Sequence, residues 1–284
     1  MKLYEPSTIK RIREAHGFKF SKSLGQNFLT DKHIIDEIVD GADIGPDDLV
    51  IEIGPGIGVI TYEAAQLAKN VIAVEIDKSL LPILEETLGE FDNVRVINED
   101  ILKLDLNQVI EEEGAQNVKI MGNLPYYITT PIIMKILEDG VKADSITIMM
   151  QKEVADRIKA HPGSKTYGAL SVAVQYYCTV DKVASVPRSV FVPQPNVDSI
   201  VLRLNIRKEK PVELENEKLF FDCVKAGFGQ RRKTLLNSLQ NVKGVTKEIV
   251  VDSLEAAGVE SSRRAETLDL EEFARVANEV NKRL

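Results

Sequence analysis

Cysteine is scarce: Cys178 and Cys223 are the only two in 284 residues, far apart and in no Cys-x-x-Cys pair. That excludes a disulfide framework and a cysteine-built zinc site, and it fits a reducing, cytoplasmic setting. The three histidines, His16, His33 and His161, stand singly and pair with no acid or cysteine cluster. Neither a metal site nor acid–base chemistry is assigned to them. No apolar run approaches the roughly 20 residues a membrane span needs, and the N-terminus lacks the charged-then-apolar pattern of a signal peptide. The expectation is a soluble protein, away from membranes and working as a monomer.

Positive charge is also in deficit, with a formal net charge of -8. At face value that argues against a nucleic-acid partner, because affinity for a phosphate backbone comes largely from Lys and Arg. The charge is unevenly spread, however. Residues 1–35 hold seven Lys/Arg against three acids. From Cys223 to Lys247 no Asp or Glu occurs, while Lys225, Arg231, Arg232, Lys233, Lys243 and Lys247 all fall inside. Either run alone is as readily a solvated helix face as an RNA surface.

With 44% hydrophobic residues the chain can fill two cores. From Leu49 to Met150, short apolar runs alternate with amphipathic stretches, the pattern of a parallel sheet with crossover helices. Strands are expected at Leu49–Ile53, Val71–Glu75, Val94–Asn98, Val118–Gly122 and Ser145–Met149. Helices are expected at Ile60–Ala68, Ser79–Leu88, Leu106–Glu112, Thr130–Asp139 and Gln151–Ala160. Leu170–Val180 and Ser199–Ile206 read as a strand pair closing one sheet edge antiparallel, with Pro187, Pro193 and Pro195 marking a loop between them. Beyond Arg207–Pro211, helical spacing at Glu217–Gly227, Arg232–Gln240, Lys247–Ala257 and Leu270–Lys282 predicts a small all-helical domain, the last helix capped by Asp269. The expected architecture is α/β and Rossmann-like: a basic arm over 1–30, a mostly parallel sheet domain over 31–207, and a helical domain over 212–284.

Leu49–Gly58 reads as a buried strand running into a turn with glycines at 54, 56 and 58, then a helix. Such a turn lets a ligand touch backbone, since Cβ atoms would block the approach and positive φ is often required. A nicotinamide fingerprint would put its third glycine at position 59, which is Val59, so that reading fails in detail. Glu52 just before the loop suits a cationic ligand, and S-adenosylmethionine (SAM) carries a sulfonium and no phosphate. Glu75, 21 residues after Gly54, is placed to accept both ribose hydroxyls, and Asp100 to accept from an adenine amino group. Ile76 and Ile101, directly after these acids, are counted with Glu52, Gly54 and Gly56 as cofactor contacts. The plainer alternative is a glycine turn with acids that only cap helices.

Asn123-Leu124-Pro125-Tyr126 follows the fourth strand, at the edge where ligands sit in open α/β sheets. An adenine amino nitrogen is a poor nucleophile because its lone pair is delocalised into the ring. Acceptance of its NH₂ by the Asn123 amide oxygen and a carbonyl of Leu124 or Pro125 favours a pyramidal, attacking geometry. Pro125 holds those carbonyls still, and Tyr126 offers a stacking face. No general base is needed if the proton leaves after the methyl arrives. A bare strand-to-helix turn is the alternative.

At this point the chain resembles the ribosomal RNA adenine dimethyltransferases, in their bacterial KsgA (RsmA) branch, through most of its length. The resemblance rests on Ser23–Leu29, Glu52–Gly58, Asn123–Tyr126, Met150–Ala155 and Val190–Ser199, in that order, and on Phe228–Leu235. It implies that Gln26, Asn27 and Leu29 join Gly54, Glu75, Asp100 and Asn123 around SAM, and that Phe191 stacks on the target base. It further implies dimethylation of two adjacent adenosines in a hairpin near the 3′ end of 16S rRNA, in an immature small subunit contacted by Arg231, Arg232 and Lys233. Lys22 is counted with these RNA contacts, although Phe18, Phe20 and Phe28, interleaved with Lys19 and Lys22, read rather as a staple holding the arm. Glu99 departs from the glycine the family often has. The macrolide-resistance branch, which modifies a large-subunit adenine, shares the Asn-x-Pro-Tyr chemistry, but the Phe-Val-Pro-Gln-Pro stretch and the basic triplet favour the small subunit. A rival of another class is a ribosome-assembly checkpoint, in which binding the immature subunit is the main role and methylation is secondary, and the two roles are compatible.

Overall fold

The computed structural model describes residues 1–18, 21 and 25–284. Its first elements are α1 (Pro6–His16), β1 (Phe28–Leu29), α2 (Lys32–Ala42), β2 (Leu49–Ile53), α3 (Val59–Ala65), β3 (Asn70–Val74) and α4 (Leu81–Leu88). There follow β4 (Val94–Ile97), α5 (Leu106–Glu112), β5 (Val118–Asn123), α6 (Thr129–Glu138), β6 (Ser145–Gln151), α7 (Lys152–Ile158) and α8 (Ala169–Tyr177). The chain ends with β7 (Cys178–Val186), β8 (Phe191–Val192), β9 (Ser199–Ile206), α9 (Glu217–Gly229), α10 (Leu235–Ser238), α11 (Lys247–Ala256) and α12 (Leu270–Asn281). Two compact units form, one of Met1–Ala155 with Val180–Ile206, the other of Asp156–Thr179 with Arg207–Leu284.

In the first unit every residue of β2 is buried, as expected of a parallel strand covered on both faces. The sheet order is β4-β3-β2-β5-β6-β9-β7, with β2, β3, β4, β5 and β6 parallel and β9 antiparallel to β6. This is the expected Rossmann-like architecture. The chain runs outward from β2 to β4 and returns at β5 on β2's other side, so the carboxyl ends of β2 and β5 flank the point where strand order reverses.

The basic arm holds a helix that its charge pattern does not announce. In α1, proline at the first turn suits the fixed φ, Ile9 and Ile12 are buried, and Gly17 ends the helix at φ 60. Asp31 caps α2 by accepting from the His33 and Ile34 amides. Phe18 and Phe28 meet edge-on in the core of this unit, 6.2 Å between centroids, which makes them a staple. Lys19, Phe20 and Lys22 lie outside the described residues.

In the helical unit, α9 packs against α12 and α12 against α11. A Cβ on Gly227 would meet Ala265 Cβ at 2.9 Å, so glycine permits the close approach there. Asp269 caps α12 reciprocally with Glu272, as its position predicts. Two sequence readings need correction. Leu170–Val180 is not a strand up to Tyr177: Ala169–Tyr177 is helical, and the strand begins at Cys178. Seven of its nine helical residues are buried, so the apolar pattern shows no exposed stripe and mimics a buried strand. The Tyr176 and Tyr177 hydroxyls donate to Glu217 at 2.8 and 2.6 Å, and both rings pack on Phe221, which ties α8 to α9. Secondly, α10 starts at Leu235, not Arg232, because α9 ends at Gly229 and the Lys233 amide turns back onto the Gln230 carbonyl. The basic triplet therefore occupies a turn.

Candidate active site

The glycine turn continues β2 at the strand-order reversal. The Gly54 amide donates to the Val74 carbonyl at 2.9 Å, carrying the sheet ladder one step into the turn. Gly54 and Gly56 sit at φ +69 and +61, conformations costing other L residues about 1–2 kcal/mol each. A Cβ at Gly56 would strike Phe28 Cε1 at 2.7 Å, whereas one at Gly54 meets nothing within 4 Å. Gly54 thus presents bare backbone to open space.

Around that space stand the carboxylates. Glu52 is 1% exposed and accepts from Thr61 Oγ1 at 2.5 Å. Glu75, 5% exposed, accepts from the Asp77 amide at 2.8 Å and the Gly56 amide at 3.4 Å. Burial pushes both carboxyls up to about 7, against the opposing pull of these hydrogen bonds. Asp100 Oδ1 accepts from the Leu102 amide, and the Asp100 amide donates to Glu99 Oε1 at 2.8 Å. Glu99, the departure from the family pattern, so braces the loop through its own side chain.

Asn123 is the last residue of β5, and its Nδ2 donates to the Asn27 carbonyl at 3.0 Å. The amide's remaining polar atom is Oδ1, an acceptor. The Pro125 carbonyl already accepts from the Ile128 amide and from Thr129 Oγ1, both at 3.1 Å. Of the two carbonyls the sequence leaves open, Leu124's is the one without such partners among the described residues. Tyr126 is partly buried, its hydroxyl 2.8 Å from Ser199 Oγ. Beyond the Asn27–Asn123 bond, two links tie the arm to this unit: β1 pairs with β8, matching Leu29 to Phe191, and Gln26 uses both ends of its amide, accepting from Ser21 N and donating to Asp77 Oδ2, each at 2.7 Å.

One cleft is lined by Gln26, Asn27, Leu29, Glu52, Gly54, Gly56, Glu75, Ile76, Asp100 and Ile101, and also by Asn123, Leu124, Pro125, Tyr126 and Phe191. Every residue singled out from sequence for cofactor or chemistry is thus brought together. Phe191 is only 3% exposed, so it reaches the cleft from within the core. Arg231, Arg232 and Lys233 are exposed on the helical unit, and Arg231 donates to the carbonyls of Lys165 (2.9 Å) and Tyr167 (3.4 Å).

Residues 17–282 match the family model described as ribosomal RNA adenine dimethylase. The chain belongs to that family. It is accordingly a SAM-dependent rRNA adenine dimethyltransferase. A protein of Alkaliphilus metalliredigens named ribosomal RNA small subunit methyltransferase A is 54% identical over 281 residues, 98% of each chain. One of that name from Bacillus cytotoxicus is 52% identical over 278 residues, 96% of this chain and 95% of that one. Among solved structures, a dimethyladenosine transferase from Plasmodium falciparum matches with a TM-score of 0.77 at 28% identity, over 90% of this chain and 98% of that one. The 23S rRNA methyltransferase ErmE matches with a TM-score of 0.67 at 28% identity, over 89% of this chain and 99% of that one.

Within the dimethylase cleft, sequence reasoning missed Gly25, Glu99 and Tyr127 as lining residues. Tyr127 had a signal: it directly follows the Asn-Leu-Pro-Tyr turn. Gly25 had one too, standing inside the arm's motif, where a Cβ would press on Pro125 Cβ at 3.1 Å.

Proposed function

We propose that this dimethylase modifies N6 of two adjacent adenosines in a hairpin near the 3′ end of 16S rRNA, in an immature small subunit. The observation that carries the reading is the convergence, in one cleft, of bare glycine backbone, buried carboxylates and an amide oxygen beside a rigid turn. Full-length relatives at 50–54% identity bearing the name ribosomal RNA small subunit methyltransferase A support the choice of subunit.

SAM fits the residues present: Gly54 leaves its backbone open where a side chain would fill the space, and the buried acids favour a cation over a phosphate. When bound it supplies a methyl group activated on a sulfonium. Glu75 is the acceptor for the ribose hydroxyls, Asp100 takes the adenine amino group, Ile76 and Ile101 give apolar contact, and Asn27 and Leu29 close the site from the arm. The Asn123 Oδ1 and the Leu124 carbonyl accept from the target NH₂ and draw its nitrogen toward a tetrahedral shape. Because Asn123 Nδ2 is held by the Asn27 carbonyl, Oδ1 needs no reorientation on binding. Tyr126 and Phe191 flank the target base, which must leave its stack to reach them. Gln26, with both amide ends taken, positions the arm. Arg232 and Lys233, with Arg231 and Lys22, contact RNA phosphates.

The deciding experiment incubates the protein with labelled SAM and, separately, immature small subunits and large subunits, then maps N6,N6-dimethyladenosine. Paired dimethyladenosines near the small-subunit 3′ end are expected. Label confined to a large-subunit adenine would overturn the reading.

A further inference from the structure

Tyr126 and Tyr127 are consecutive, yet they are treated oppositely. Tyr126 is partly buried and its hydroxyl is taken by Ser199. Tyr127 is 62% exposed, the largest exposure of any large hydrophobic side chain among the described residues. Among those residues its hydroxyl has no protein partner. It nevertheless lines the same cleft, and its Cε1 edge stands over Gly25, 3.8 Å from where a Cβ would be, so one edge of the ring is backed by the arm. Leaving an aromatic ring this wet forgoes the burial an apolar surface normally gains. A ring backed at one edge and otherwise open, at the rim of a site that admits a purine, is suited to receive a second planar group.

The geometry points to Tyr127 as a stacking platform for the nucleobase adjoining the adenine held in the cleft. This rests on the proposed reading of the reaction, in which two neighbouring adenosines take turns in one site. While either is inside, the other lies at the rim. Tyr127 then acts on RNA affinity and on the handover between the two adenosines, and it leaves SAM binding to Glu75 and Asp100. Its ring does the work, so the hydroxyl is dispensable.

The test compares wild type, Tyr127→Ala and Tyr127→Phe on a small-subunit RNA and on the same RNA with an abasic nucleotide beside the target adenosine. SAM affinity, measured calorimetrically, verifies that each variant is folded. On intact RNA, Tyr127→Ala is expected to raise KM for RNA about five- to a hundredfold, the range of one base–aromatic stack, and to leave more product with only one adenosine dimethylated. Tyr127→Phe is expected to behave as wild type. On abasic RNA the wild type should lose the same factor and Tyr127→Ala little more, because both changes remove one contact. An unchanged KM and product distribution for Tyr127→Ala, or an equal loss on intact and abasic RNA, overturns the platform while leaving the reaction itself standing. Absence of any methylation of small-subunit RNA by wild type overturns the reaction and the platform together.

Discussion

Both ends of the parallel sheet carry carboxylates, but their neighbours differ. At the amino end, Asp48 accepts from the Gly45 amide at 2.8 Å, and Glu113 accepts from Asn70 and Arg95 at 3.1 and 2.9 Å. Asp144 accepts from the Val118 amide and lies 3.8 Å from Lys119. These three acids are satisfied by protein, two of them beside cations, and Asp48 and Glu113 line a polar groove. At the carboxyl end, Glu52 and Glu75 are buried, receive hydroxyl or amide donors but no Lys or Arg among the described residues, and are held up near 7 by desolvation. Acids that fold a protein are paid in full by it, whereas acids that bind a cation are left short of one.

That contrast can be broken by paired substitutions. Glu75→Gln is expected to weaken SAM binding roughly ten- to a hundredfold, the loss of charge-assisted hydrogen bonds, while Glu113→Gln leaves it unchanged and lowers stability by no more than about 1 kcal/mol. Calorimetry and thermal unfolding on both variants read this directly, and equal SAM affinities would erase the distinction between the two ends. A second, smaller effect is protonic. Because Glu52 and Glu75 are raised from 4.5 to about 7, the ligand-free native protein holds more protons than the unfolded chain across that interval. Its stability from these groups is fully present below pH 4.5 and is lost as pH rises through 7. SAM, a cation, favours the ionised carboxylates, so binding near pH 6.5 should release protons and tighten toward pH 8. Titrations in buffers of different ionisation heat measure that release, and identical heats would contradict it.

The smallest expected effect separates charges on the helical unit. Arg232 and Lys233 are exposed in the turn before α10, whereas Arg231 also holds the carbonyls of residues 165 and 167. Replacing Arg232 and Lys233 by Gln should flatten the log–log salt dependence of RNA binding by about 0.7–0.9 per lost phosphate contact without affecting stability. Arg231→Gln should do both, lowering thermal stability as well. A salt slope that does not move removes the triplet from the interface.

Much of the fold was legible because β2 to β6 are short apolar runs separated by amphipathic helices, and burial on both faces leaves little else for such runs to be. The same rule misled at α8, where burial all round erased the helical stripe. The helix α1 was hidden by its charges, since only Ile9 and Ile12 mark its inner face. For the site, residue types and their place after a strand brought the cleft's acids, glycines and Asn123 into view. What no spacing reveals is how hydrogen bonds are shared out: that Pro125's carbonyl is occupied, that Gln26 has no amide end to spare, or that the Asn27 carbonyl turns the Asn123 amide. These depend on contacts up to 96 residues apart in sequence.

The chemistry assigned to this cleft rests on an amide oxygen at position 123, held ready for an adenine amino group. Single-turnover methylation of small-subunit RNA by Asn123→Ala, with saturating SAM and RNA affinity measured alongside, tests it most directly. The expected result is a fall in the methyl-transfer rate of roughly a hundred- to a thousandfold, comparable to removing one preorganised polar contact from a transition state, with folding and RNA affinity nearly unchanged. Dimethylation by that variant at close to the wild-type rate would contradict the account.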